Sequence, residues 1–151
     1  MSTTEDAPHL IALVERADRA LVTDLVSSAA DRGFPEVRAS HNAVFATLGS
    51  EGSHVSDMAA RAGITKQSVA AIVRDLEAAG LVTVSPDPAD RRAKLVRYTD
   101  RGWQCARGGS AYLREVEEAM SELLGRDGLA ELRASLVAVA DALEERRRVA
   151  R

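Results

Sequence analysis

Near the end of the chain Leu129, Leu132, Leu136, Val139 and Leu143 step by three, four, three and four. That spacing puts all five on one side of an α-helix. Leu10, Val14, Ala17, Leu21 and Leu25 do the same near the start, with Pro8 before them and Gly33 as a stop. Leu113, Val116, Met120 and Leu123 form a third stripe, and "GRDG" at 125–128 interrupts before the last one. Aromatic residues make up only 3% of the 151 residues, so the core rests on Ala, Leu and Val. This suits close-packed helices better than stacked sheets, whose strands favour aromatic and β-branched residues. The length fits one domain with a core of its own. Long one-sided stripes at both ends are more than a small centre can cover. They either pack within the chain or pair with a second copy, and the heptad-like last helix favours a homodimer.

The middle is built differently. "RASHNAVFATLGS" predicts a short helix ending at Gly49, with Val44, Phe45 and Leu48 inward. "VSDMAARAG" predicts another, stopped by Gly63. Thr65 then caps "KQSVAAIVRDLEAAG", whose inner face is Val69, Ile72, Val73 and Leu76 and whose stop is Gly80. Ala59, Gly63 and Val69 fit a helix-turn-helix: a small residue at the crossing, a positive φ in the turn, and a residue packing the second helix on the first. "LVTVS" and "AKLVRYT" are strand-like, and "PDPADRR" between them is too long for a two-residue turn. Thr99 or Asp100 caps the helix that follows.

Charge is uneven. The whole chain carries -3, yet residues 61–97 hold seven cations against four anions, or +3, which leaves -6 elsewhere. The outer face of the second helix offers Lys66, Gln67, Ser68, Ala71 and Arg74, several of them types that bond base edges. The hairpin carries Arg91, Arg92 and Lys94 at its tip, suited to the negative potential of a minor groove and to phosphates. Asp90 lies two residues before Arg92, where its carboxylate is expected to hold the guanidinium. Double-stranded DNA is the partner these features point to.

"VSDMAARAGITKQSVAAIVRDLEAAGLVTVSPDPADRRAKLVRYTDRGW" resembles the winged helix-turn-helix of the MarR family, the multiple antibiotic resistance regulators. Its most specific piece is "DPADRRAKLVRYTDRG", similar to that family's wing and next helix. The resemblance implies a mainly α fold with a small β-hairpin wing. It implies dimerisation helices at 8–33 and 100–148 around a DNA-binding region at 36–99, all in one domain of 1–151. Residues 65–77, starting with Thr65, become the recognition helix in the major groove, and Arg92 the wing arginine. The implied function is a dimeric transcriptional regulator, a repressor released from a pseudo-palindromic operator by a small aromatic or phenolic effector. His41, Phe45 and Trp103 are the residues expected to meet that effector. The sequence departs from the pattern at Ala71, where the family often has arginine, and at His54, where a Ser or Thr cap is common. It also lacks the N-terminal cysteine of peroxide-sensing members. Two alternatives remain: a winged helix that binds protein and no DNA, and a DNA binder without effector.

No enzyme is expected. Cys105, the one cysteine, has no third residue or oxyanion loop beside a histidine, and no phosphate-cradling glycine motif appears. His9, His41 and His54 share no metal-ligand spacing with Cys105 or each other, so neither metal nor cofactor is implied. A lone cysteine fits a reducing cytoplasm, the polar "MSTTEDAPHL" start is wrong for a signal peptide, and no apolar run has membrane-spanning length.

Overall fold

In a computed structural model the described residues are 7–150. The element order is α1 (Leu10–Asp31), a 3-10 turn (Ala39–His41), α2 (Asn42–Phe45), α3 (Val55–Ala62), α4 (Lys66–Ala78), β1 (Val82–Pro86), β2 (Lys94–Tyr98) and α5 (Asp100–Val149). The chain forms two compact units, the first ending at Ser110 and the second beginning at Ala111.

The first unit holds the core: Val44, Met58, Ala59, Val69, Val73, Leu76, Leu81, Val82 and Val96 are all buried. Val69, Val73 and Leu76 are the inward stripe of α4, as its periodicity predicts. The helix expected over 38–50 is shorter: a 3-10 turn leads into the single turn of α2, and the chain then bends towards α3. β1 and β2 pair antiparallel, from Val82 with Tyr98 to Pro86 with Lys94. Ser53 adds a bridge that the sequence did not reveal, its N–H donating to the Val96 carbonyl and its carbonyl accepting from the Val96 N–H, both at 3.0 Å. Gly52 makes this approach possible. It sits at φ 100°, and a Cβ there would stand 2.8 Å from the Val96 oxygen.

Thr99 caps α5, its hydroxyl oxygen accepting from the Gly102 N–H at 2.9 Å while its O–H donates to the Gly80 carbonyl at 2.7 Å. No helix among the described residues is long and apolar enough to cross a membrane.

The second unit is helical. The expected interruption is a single residue: Gly125 has φ 75° and ψ 159°, and helix runs on both sides of it. Arg133 meets Glu117 at 2.9 Å, a contact a straight helix of that span would not allow. The chain therefore changes direction at Gly125. Leu123, Leu124, Leu132, Leu136, Val139 and Leu143 in this unit are exposed, as are Leu10, Ile11, Leu13 and Val14 of α1 in the first.

Candidate nucleic-acid interface

The interface is built on the turn between α3 and α4. Gly63 takes the left-handed conformation, φ 67° and ψ 25°, and ends α3. Ala59 and Val69 are buried where the helices meet, in the roles their spacing predicts. Thr65 caps α4: its Oγ1 accepts from the Ser68 N–H at 3.1 Å, satisfying one first-turn amide. Thr65, Lys66, Gln67, Ser68, Ala71 and Arg74 are all exposed, so the whole predicted recognition face is open. On another part of α4, Asp75 accepts from Arg38 Nη2 at 2.8 Å, tying the helix to the segment before the 3-10 turn. Glu77 accepts from the Val84 N–H at 3.1 Å and ties α4 to the hairpin.

Beyond Pro86 and Lys94 the ladder gains one more bond, from the Asp87 N–H to the Ala93 carbonyl at 2.9 Å. Two aspartates then shape the tip. Asp87 Oδ1 accepts from the Ala89 N–H at 2.8 Å, and Asp90 Oδ1 accepts from the Arg92 N–H at 3.0 Å. Each is an aspartate bonding an amide two residues on. This corrects the expected role of Asp90. It holds the backbone of Arg92, not its guanidinium, and Asp90 and Arg92 form no ion pair. The backbone bond wins because it fixes a short side chain, whereas an ion pair must order a long one. Arg91, Arg92 and Lys94 are exposed at the tip. Arg97 lies further down, its Nε donating to the Glu51 carbonyl at 3.2 Å.

His54 ends the loop before α3 and was legible only as an unusual cap. Its side chain makes no capping bond. Its Nε2 lies 2.8 Å from Asp87 Oδ2 in the wing, and its Nδ1 lies 3.4 Å from Asp57 Oδ2 in α3. The bond to Asp87 pushes its pKa above the ordinary histidine value, and Asp57 adds to the rise. Asp87 is held below its usual value, first by the Ala89 amide and then by His54.

The three residues expected to meet an effector, His41, Phe45 and Trp103, all lie in the first unit. His41 is buried, not open to solvent, and its Nδ1 accepts from the Arg38 N–H at 3.2 Å. Burial and the nearby Arg38 lower its pKa, so the ring is neutral with its proton on Nε2. Phe45 stacks on Tyr98 at 6.1 Å between ring centroids, and Trp103 meets the same ring at 4.8 Å. A cleft of about 670 Å3 opens between α1, α2 and α3, lined among others by Asp18, Arg19, Ser40, Asn42, Thr47 and Arg61. His41, Phe45 and Trp103 do not line it. Cys105 is buried, and burial pushes its thiol pKa up, which disfavours the reactive thiolate. No group of His, Cys, Asp and Glu among the described residues is arranged to hold a metal ion.

Residues 38–93 match the profile of the MarR family. The PcaV transcriptional regulator from Streptomyces coelicolor, solved with its natural ligand, is 26% identical, with 95% of this chain and 99% of that one aligned at a TM-score of 0.71. CouR from Rhodococcus jostii RHA1, bound to p-coumaroyl-CoA, is 22% identical over 93% of this chain and 96% of its own at 0.72. The transcriptional repressor CouR bound to a 23-mer DNA duplex is 24% identical over 93% and 98% at 0.70. No curated protein matches the sequence. The profile covers the helix-turn-helix and wing, where this chain resembles the MarR family, and the fold of these solved regulators continues through nearly the whole chain.

Proposed function

We propose that this protein is a homodimeric transcriptional repressor that grips a pseudo-palindromic operator and is released by a small aromatic or phenolic effector. The observation that carries DNA binding is the exposed polar face of α4 together with the arginine-tipped wing built on the same helix-turn-helix body. The α4 side chains from Thr65 to Arg74 would read base edges in the major groove, and Arg92 would enter the minor groove. Arg91 and Lys94 would meet phosphates. CouR bound to a DNA duplex supports this reading.

Two copies are supported by the uncovered apolar residues of α1 and of the second unit. Helices 8–33 and 100–148 would form the dimer region, setting two recognition helices about 34 Å apart, one turn of duplex. Ligand-bound PcaV and CouR support an effector. The cleft holding Arg19 and Arg61 is a second place, beside His41, Phe45 and Trp103, at which it would act. An effector favouring a dimer with the wrong helix spacing lowers operator affinity. Such a repressor acts in the cytoplasm and carries no catalytic step.

The test is selection of duplexes from a random library, then a salt titration of the chosen site. Affinity should fall steeply as salt rises, and Arg92→Ala should bind more weakly with a shallower salt slope. Association that ignores both salt and Arg92 would favour a protein-binding role.

A further inference from the structure

His54 and Asp87 make the one side-chain bond, among the described residues, between the wing tip (87–93) and the rest of the first unit. We propose that this pair is a proton-operated latch that holds the wing on the helix-turn-helix and thereby sets duplex affinity, with His54 as a positioning residue. The proposal rests on the DNA-binding reading above.

The geometry carries it. His54 Nε2 faces Asp87 Oδ2 at 2.8 Å, and Nδ1 faces Asp57 Oδ2 at 3.4 Å. The groups facing the ring are thus two carboxylates, one from the β1–β2 loop and one from α3, with no cation among them. Only the imidazolium donates at both nitrogens. A neutral ring keeps one N–H and turns a lone pair towards the other carboxylate, which repels it. Asp87 is well placed to transmit the change. Its other oxygen holds the Ala89 amide, and its own N–H holds the Ala93 carbonyl, so its position fixes both sides of the tip that carries Arg91 and Arg92.

The direction in pH follows from the raised pKa of His54. The latch is fully charged below the ordinary histidine value and weakens as pH rises through the raised one. Duplex binding that needs the charged latch takes up a proton in that window. His41, the buried histidine of this unit, has a lowered pKa and titrates on the acid side, so it is separable from His54.

The test uses the full chain and a duplex selected by it from a random library. Wild-type affinity should fall about threefold from about pH 6 to about pH 8.5, the size expected for a partly exposed charge pair. His54→Gln, which does not titrate, should bind with a flat profile near the wild type's alkaline level. Asp87→Asn should also flatten the profile. Arg92→Ala should weaken binding at every pH and keep the slope. In NMR titration of the histidine rings, the His54 transition should move down in Asp87→Asn. Equal pH dependence in wild type and His54→Gln, or an unmoved His54 transition in Asp87→Asn, overturns the latch while leaving DNA binding intact. A wild-type protein that binds no duplex at any pH overturns the DNA reading and the latch's claim on affinity together, with the ring titration still judging the contact itself.

Discussion

Gly102 lies directly over the Leu81 carbonyl: a Cβ on it would stand 1.8 Å from that oxygen and 3.2 Å from the Tyr98 ring. The start of α5 thus rests on the exit of α4 with backbone against backbone. Gly102→Ala must push the two apart. The expected cost is about 3 kcal/mol, at the upper end for overpacking a tight site. Urea unfolding measures it. Gly63 has open space where its Cβ would be, so Gly63→Ala should cost less, about 1 kcal/mol, through its positive φ alone.

Thr65 provides the only side-chain cap of α4. Thr65→Ala should destabilise the protein by about 1 kcal/mol, and Thr65→Ser should restore most of it. Paired denaturation curves of the two variants decide the matter.

Asp90 separates two roles by chemistry. An amide-accepting oxygen is supplied equally by asparagine, whereas an ion pair with Arg92 needs the charge. Since Asp90 accepts from the Arg92 N–H, Asp90→Asn should keep duplex affinity within about twofold, and Asp90→Ala should lose more than that. Fluorescence anisotropy with one labelled duplex compares them directly.

His41 predicts a pH dependence of stability. Its folded pKa is lowered by burial, so the unfolded chain binds the proton more readily. Its contribution to stability is full above the ordinary histidine value and is lost as pH falls through and below it. His41→Gln should flatten that acid-side slope, read as urea midpoints across the pH range.

The exposed leucines of the second unit predict association. Wild type should sediment as a dimer, and Leu136→Glu should shift it towards monomer, because a charge set in an apolar contact stays unpaired. Sedimentation equilibrium reports both.

What was legible in the sequence was mostly local. Gly63, Thr65 and Gly80 act on their own helices, so their roles follow from neighbouring residues and φ preferences. The inward stripe of α4, Val69 to Leu76, spans about two turns, long enough for its period to show. α2 is a single turn, too short for a period to distinguish faces, and His41 beside it proved buried. Asp90 accepts from the Arg92 amide, where spacing alone allows an ion pair with Arg92 equally well. The Ser53–Val96 bridge and the His54–Asp87 bond join residues far apart in the chain, and no local pattern carries such pairings. Phe45 and Trp103 both pack on Tyr98, and the Phe45 contact joins residues far apart in the chain that no local pattern carries.

Gly125 concentrates the bend of the second unit in one residue. An α-helix rotates about 100° for every residue added, so a single insertion beside this joint would swing the leucine row that follows it by more than a quarter turn. Loops usually tolerate length changes, but this one does not have that freedom. Its spacing is as binding as the identity of the leucines themselves, and drift in length here should be rarer than drift in the residues on the outer side of either arm.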